Sequence, residues 1–146
     1  MTKLSNTMKN SFFDGKIKIQ TLENIKSNDL HIVKFIDKKK NNYYKFGELY
    51  GSYIEKNKIK AWKIQKKNTM NLFVPFGKVK IVCSLNNKFL EFILSSSNHK
   101  SLFLKPGIFY GFKGLNKKSL ILNLIDDIHN DSLIEKKPLT FFNYNW

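Results

Sequence analysis

The sequence predicts an all-β protein, built as an antiparallel sandwich, jelly roll or small barrel. Runs of β-branched and aromatic residues recur at the length and spacing of strands, and turn-forming residues separate them. No apolar stripe with a period of 3.6 residues persists long enough for a major helix. Strands this short and this frequent are typical of β-sandwiches, jelly rolls and small barrels.

The elements follow from this pattern in chain order. Residues 1–29 are weakly patterned and predict an N-terminal arm or a hairpin that turns at Asp14-Gly15. Residues 30–146 form the predicted β domain, and a short helical turn is expected after the capping residue Asp131. The predicted strands are 31–36, 44–54, 58–65, 71–75, 78–84, 89–94, 101–104 and 120–125.

The charge is strongly positive, because 26 basic residues face 11 acidic ones and give a net charge of +15. A basic chain can attract nucleic acid. All 26 basic residues are lysine, however, so the chain lacks the planar arginine fork on which base-specific readout relies. Attraction of phosphate, including that of a small nucleotide diphosphate, remains compatible with the charge.

Cysteine and histidine usage gives no sign of a metal site or disulfide framework. Cys83 is the one cysteine, and it lies in an apolar run where a buried structural role is expected. His31, His99 and His129 are scattered without a His-x-His pair, so we predict no metal and no cofactor. Residues 1–10 are polar and no apolar run approaches the roughly 20 residues of a membrane helix, so a cytoplasmic protein is expected.

The stretch KIKAWKIQKK, residues 58–67, places one tryptophan among lysines. It fits a nucleic-acid-binding strand, a solvated surface strand or one wall of a small-molecule pocket. Strand alternation puts Trp62 and Ile64 on one face, and Ala61, Lys63 and Gln65 on the other. We interpret Trp62 as a packing residue and the opposite face as directed toward a pocket.

Five blocks in order resemble the dTDP-4-dehydrorhamnose 3,5-epimerase family, which is a cupin jelly roll acting on nucleotide sugars. The resemblance runs from about Phe46 to the end of the chain, where FNYNW is similar to the family's ending. The most specific block is the Pro-Gly-x-x-x-Gly-Phe pattern within LKPGIFYGF. The blocks are FGE at 46–48, IKAWKIQ at 59–65, VPFGKVKIV at 74–82, LKPGIFYGF at 104–112 and LILNLIDD at 120–127.

The resemblance also marks substitutions at the family's catalytic positions. The family's basic histidine falls on Lys63 and its acidic tyrosine on Asn123, while Tyr110 replaces the family's histidine in the LKPGIFYGF block. Burial and neighbouring lysines could lower the pKa of Lys63 enough for it to act as a base. Tyr110 could be the acid. The alternatives are a solvated Lys63 on its strand and a packed aromatic Tyr110.

The residues expected to bind a ligand are Glu48, Lys60, Gln65, Lys80 and Asn123. The resemblance implies a nucleotide-sugar epimerase or isomerase relative, cytoplasmic and homodimeric, that acts on a 4-keto dTDP- or UDP-sugar in surface-polysaccharide synthesis. The sequence leaves open whether the protein is an enzyme. One alternative is a cupin that binds sugar nucleotides or carbohydrates without catalysis, and another is a basic barrel that binds single-stranded nucleic acid.

Overall fold

The computed structural model describes residues 10–39 and 43–146, which form two antiparallel sheets and a separate two-stranded hairpin. The six-stranded sheet has the strand order β1-β2-β10-β7-β12-β5. Its strands are β1 (Ser11–Phe12), β2 (Ile17–Thr21), β5 (Glu48–Glu55), β7 (Met70–Phe76), β10 (Lys100–Leu104) and β12 (Lys118–Ile125).

The five-stranded sheet has the order β13-β6-β11-β8-β9. Its strands are β6 (Ile59–Gln65), β8 (Lys78–Leu85), β9 (Lys88–Ser95), β11 (Phe109–Gly114) and β13 (Ile134–Lys136). The hairpin pairs β3 (Glu23–Lys26) with β4 (His31–Lys34). Most neighbours in each sheet are not consecutive in sequence, so the chain crosses repeatedly between the two sheets. The predicted antiparallel all-β fold is confirmed.

The predicted strands agree with the structure to within about two residues at each end, except that the strand predicted from residue 44 begins at Glu48. The predicted helical turn is the 3-10 helix Asp131–Leu133, and its capping residue is Asn130 rather than Asp131. Strand β11 was absent from the predicted strands, because its two glycines, Gly111 and Gly114, weaken strand propensity. Strand β13 is only three residues long and gives no periodic signal. Within the described ranges, no helix has the length and apolar character needed to cross a membrane.

The segment before residue 30 takes part in the six-stranded sheet. Strands β1 and β2 form a hairpin whose turn contains Asp14 and Gly15, both with positive φ. Strand β2 then pairs along its whole length with β10, and Ile17 is fully buried in the core. The sheet therefore begins N-terminal to the boundary at residue 30 that the sequence pattern indicates.

The core lies between the inner faces of the two sheets. Alternate residues of β8, namely Val79, Ile81 and Cys83, are fully buried there among the apolar residues of the facing sheet. Burial raises the pKa of the Cys83 thiol, so this cysteine is a protonated packing residue. The structure thus agrees with a structural role for Cys83.

The outer face of the five-stranded sheet is covered by the C-terminal segment. Trp62 is 1% exposed, and its ring contacts those of Phe142, Tyr144 and Trp146. The indole nitrogen of Trp62 also donates to the Leu139 carbonyl over 3.4 Å. Trp62 is therefore a packing residue, as its position on the strand indicated.

The predicted alternation of β6 is wrong at Ala61. The register between β6 and β11 shifts between Tyr110 and Phe112. An added Cβ on Gly111 would lie 2.6 Å from the Ala61 Cβ and 2.8 Å from the Trp146 ring. Ala61 therefore lies on the outer face with Trp62, because the irregular pairing interrupts the period of two.

We expect Gly111→Ala to destabilise the protein by about 1–3 kcal/mol, since the new methyl group overlaps Ala61 and the Trp146 ring. Gly51→Ala is the matched control, because the nearest atoms to its methyl group would be the flexible side-chain ends of Leu120 and Leu122, at 3.0 and 3.3 Å. Urea unfolding, followed by tryptophan fluorescence, measures the stability of both variants. Equal unfolding midpoints for the two variants would contradict this packing.

Candidate functional site

A cleft of about 550 Å³ opens at the seam between the two sheets, where β5 of one faces β6 of the other. Both sheets end near this seam, since β5 and β13 are edge strands. Lysines dominate its polar lining. The lining residues are Ser52, Tyr53 and Ile54 of β5, residues 59–63 of β6, Phe112 of β11, Ile121 of β12, and Lys136 and Lys137 at the end of β13.

Four lysines line this cleft: Lys60, Lys63, Lys136 and Lys137. Lys136 lies directly opposite Lys63 in the pairing of β13 with β6. The pKa of Lys63 is lowered, chiefly by burial and then by the positive charges of Lys136 and Lys60, while Asp131 opposes the shift. A cluster of this kind attracts anions and makes the neutral amine of Lys63 more accessible than that of an ordinary lysine.

A second layer of polar residues lies next along the strands that line the cleft. Strand alternation makes Tyr50, Gln65, Tyr110 and Asn123 the next inward-facing residues on β5, β6, β11 and β12. Tyr110 belongs to the core cluster, and it pairs with Lys63 directly across the two strands. The lysine cleft and the polar layer therefore adjoin each other.

The polar layer is connected by side-chain contacts. The Asn123 amide donates to the Tyr50 hydroxyl over 2.9 Å. The Gln65 amide lies close enough to the Tyr110 hydroxyl to lower its pKa, and Tyr50 lies close enough to raise it. The four side chains thus form one group inside the barrel.

Several polar atoms of this layer make no hydrogen bond with the described residues. They are both polar atoms of the Gln65 amide and the Asn123 carbonyl oxygen. Buried polar groups in folded proteins are nearly always hydrogen-bonded, so unsatisfied ones indicate that water or a ligand completes the set. A polar ligand such as a sugar would supply the missing partners.

The two tyrosines in the layer are proton donors. Burial raises the pKa of the Tyr110 hydroxyl, with a smaller contribution from Tyr50. Burial likewise raises the pKa of Tyr50, the Asn123 hydrogen bond lowers it and the Glu48 carboxylate raises it. Both hydroxyls stay protonated at neutral pH and can donate to a ligand oxygen.

The far end of the polar layer is bounded by the loop that follows β12. The Glu48 carboxylate accepts the main-chain N–H of His129 over 2.7 Å. The His129 ring contacts Tyr50 edge-on, with ring centres 5.8 Å apart, and its Nε2 lies 3.1 Å from an Asp131 carboxylate oxygen. This loop adds an imidazole and a carboxylate to the group.

The structure brings together six of the seven residues that the sequence proposed for the site. Lys60 and Lys63 line the cleft, Gln65, Tyr110 and Asn123 form the polar layer, and Glu48 anchors the loop beside it.

The seventh residue, Lys80, lies on the outer face of the five-stranded sheet. Its ammonium group donates to the main-chain oxygen of Trp146 over 3.2 Å and lies 3.7 Å from the Glu91 carboxylate. Alternation explains this position, because the neighbouring residues Val79 and Ile81 face the core. We therefore do not include Lys80 in the proposed site.

Sequence reasoning missed Tyr50, His129, Asp131 and Lys136. Tyr50 could have been found, since it lies two residues after Glu48 on the same strand and so shares its face. His129, Asp131 and Lys136 belong to a loop and a short strand whose position depends on tertiary packing. Among the described residues, no three His, Cys, Asp or Glu side chains converge as a metal site.

The neighbours of Lys63 predict opposite shifts of its pKa in two variants. Lys136→Met removes a like charge and should raise the Lys63 pKa, whereas Asp131→Asn removes an opposite charge and should lower it. An NMR titration of the Lys63 side-chain Cε resonance measures both shifts. In the unmutated protein the midpoint should lie below the ordinary lysine value of about 10.4. Shifts in the same direction in both variants would contradict this arrangement.

Comparison with solved structures finds close similarity in fold at low sequence identity. A dTDP sugar isomerase from Desulfovibrio desulfuricans has a TM-score of 0.81 and 22% identity, over 89% of this chain and 90% of that one. The sugar 3,4-ketoisomerase QdtA from Thermoanaerobacterium thermosaccharolyticum, in complex with TDP, has a TM-score of 0.75 and 15% identity, over 84% and 88%.

A dTDP-6-deoxy-D-glucose-3,5-epimerase from Legionella pneumophila, in complex with dTDP-4-keto-L-rhamnose, has a TM-score of 0.77 and 15% identity, over 88% of this chain and 76% of that one. No family model matches the sequence, and no curated protein matches it either. The chain therefore has the cupin jelly-roll fold of the dTDP-4-dehydrorhamnose 3,5-epimerases and the related dTDP-sugar isomerases.

Proposed function

We propose that this protein is a nucleotide-sugar isomerase or epimerase that acts on a 4-keto dTDP- or UDP-sugar. The observation that carries the proposal is the junction of a lysine-lined cleft with a buried polar layer whose amides lack partners among the described residues. The lysine-lined cleft suits a diphosphate, and the polar layer suits a sugar. The similar structures include proteins in complex with TDP and with a dTDP-keto-sugar, which supports the same ligand class.

The cleft can bind the diphosphate through charge. Lys60 and Lys136 carry ammonium groups beside one opening and can donate hydrogen bonds to phosphate oxygens. The Lys137 ammonium group, by contrast, is paired with the Glu135 carboxylate over 2.8 Å. Because part of the cleft is exposed, dissolved salt should screen this attraction. The nucleotide would therefore bind at the seam, with its sugar directed toward the polar layer.

The polar layer can orient the sugar beside Lys63. Gln65 and Asn123 offer amide groups that can bind sugar hydroxyls, and the protonated Tyr110 can donate to a keto oxygen. Lys63 and Tyr110 face the same interior from neighbouring strands. With its lowered pKa, Lys63 can exchange a proton more readily than an ordinary lysine, so we propose Lys63 and Tyr110 as proton-transfer residues.

The biological setting is part of the same proposal. We place the protein in the cytoplasm as a homodimer that serves surface-polysaccharide synthesis, as the family resemblance implies. Protein binding partners other than a second copy are not needed for this role.

A second candidate is a cupin that binds the nucleotide sugar without turning it over. The specific observation in its favour is Tyr110, which is only 4% exposed and would need to be uncovered before it could reach a substrate. The nucleic-acid-binding alternative is weakened by Trp62, because a ring buried under the C-terminal segment cannot stack on a base.

We expect dTDP or UDP to bind in the cleft, with an affinity that falls as salt rises. Lys60→Met and Lys136→Met should each weaken binding measured by calorimetry, because each removes one charge from the cleft. Lys88→Met, on an exposed position of β9, removes the same charge elsewhere and should leave binding nearly unchanged. Tight binding of a single-stranded oligonucleotide without detectable binding of either nucleotide would reject the proposal.

We expect the unmutated protein to exchange a carbon-bound proton of a 4-keto nucleotide sugar for deuterium in heavy water. Lys63→Met keeps most of the side-chain volume and should slow this exchange roughly 100- to 10,000-fold, the usual effect of losing a proton-transfer group. NMR of the sugar measures the deuterium content, and Lys88→Met again serves as the control. Exchange at the unmutated rate in Lys63→Met would remove this residue from the mechanism, while binding without any exchange would favour the non-catalytic alternative.

A further inference from the structure

The loop between β12 and β13 crosses the end of the seam that separates β5 from β6. On the β5 side, the Glu48 carboxylate accepts the His129 main-chain N–H. On the β6 side, the Lys66 main-chain N–H donates to the Leu133 carbonyl over 2.9 Å. The loop is thus attached to both walls and holds its side chains at one end of the proposed substrate site.

The His129 imidazole is fixed from two directions but stays accessible. Asp131 lies 3.1 Å from Nε2, and Tyr50 packs edge-on against the ring. The side chain is 40% exposed, so the ring is open to solvent. If Nε2 donates its proton to the Asp131 carboxylate, Nδ1 carries the lone pair and can accept a proton. No other described residue bonds to Nδ1.

The charged and titratable groups that face His129 come from three elements. Glu48 and Tyr50 face it from β5, and Asp131 from its own loop. Lys63 of β6 feels the charge of Asp131, so the imidazole and the lysine share this carboxylate as a neighbour. His129, at the far end of the polar layer, and Lys63, in the cleft, are therefore linked through this carboxylate.

Removing a proton from a carbon beside a ketone requires a base for the carbon and an acid for the oxygen. Histidine is the side chain that most often serves as the base in such proton transfers. A lysine among other cations suits a developing oxyanion better than a carbon-bound proton.

We propose that His129, positioned by Asp131, is the base of the reaction, and that Lys63 is the acid that serves the substrate oxygen. This inference rests on the proposed isomerase function and reverses the role that sequence alignment gives to Lys63. Glu48 acts as an anchor for the loop rather than as a base, because its carboxylate is engaged by the His129 main chain.

The proton transfers balance without any further reactant. Nδ1 of His129 takes the proton from the carbon beside the ketone, and the C–H electron pair becomes the carbon–carbon double bond of an enediol. The carbonyl electron pair moves to oxygen, which takes a proton from the Lys63 ammonium group. Return of the proton from imidazolium to carbon, and of an oxygen-bound proton to the Lys63 amine, restores both residues.

The test compares His129→Gln with His31→Gln, a matched control on β4 whose ring contacts His99. Deuterium exchange into a 4-keto dTDP-sugar is measured across pH 5–10, and dTDP affinity is measured in parallel. In the unmutated protein, exchange should fall at high pH as Lys63 loses its charge. His129→Gln should lose roughly 100- to 10,000-fold in rate with little change in dTDP affinity, and His31→Gln should lose neither.

Two further variants separate chemistry from structural support. His129→Ala should recover part of the exchange rate when free imidazole is added. Asp131→Asn should slow exchange, because it removes the carboxylate that positions the His129 ring. It should also move the loss of exchange at high pH to lower pH, because Lys63 loses an opposite charge.

The outcomes distinguish this inference from the function on which it rests. Undiminished exchange in His129→Gln, or loss of exchange together with dTDP binding and without imidazole rescue, overturns the role of His129 and leaves the isomerase function standing. Binding of dTDP without any exchange in the unmutated protein overturns both.

Discussion

The site depends on the burial of Trp62 between the five-stranded sheet and the C-terminal segment. Its main chain exchanges two hydrogen bonds with Lys137, at 3.0 and 2.9 Å, and its indole donates to the Leu139 carbonyl. These contacts hold β13 beside β6, which places Lys136 opposite Lys63. Large buried aromatic residues contribute strongly to stability. The packing of Trp62 therefore also fixes the wall of the cleft that β6 and β13 form.

Strand β6 serves two purposes because its two faces point in opposite directions. Trp62 packs outward, while Lys63 and Gln65 are directed toward the seam and the interior. The outer contact supplies stability, so the inner face can carry groups that are costly to bury. Gln65 is one such group, since its buried amide has no hydrogen-bond partner among the residues described. A buried group of this kind requires a partner, which water or a ligand can supply.

Much of the fold and part of the site follow from local patterns. Alternation along the strands gave the faces of Trp62, Lys63 and Gln65 correctly, because the period of two is a property of the chain itself. It failed at Ala61, where irregular pairing with β11 interrupts the period.

The rest of the site depends on packing that no local pattern records. His129 and Asp131 come together with Tyr50 because the loop is attached to Glu48, a contact between residues 81 positions apart. Lys80 was assigned to the pocket although alternation relative to Val79 places it on the outer face. Charge alone therefore did not distinguish a cleft lysine from one that binds the C-terminal segment.

The most direct test of ligand binding in the cleft and polar layer is NMR of the side-chain amides of Gln65 and Asn123 during titration with a dTDP-sugar. We predict large shifts at both amides that saturate together with the shift of the Lys63 Cε resonance, since one ligand should contact the polar layer and the cleft. The amide of Asn116, in another loop, should not shift. Saturable binding that leaves the Gln65 and Asn123 amides unchanged would contradict a sugar site inside the barrel.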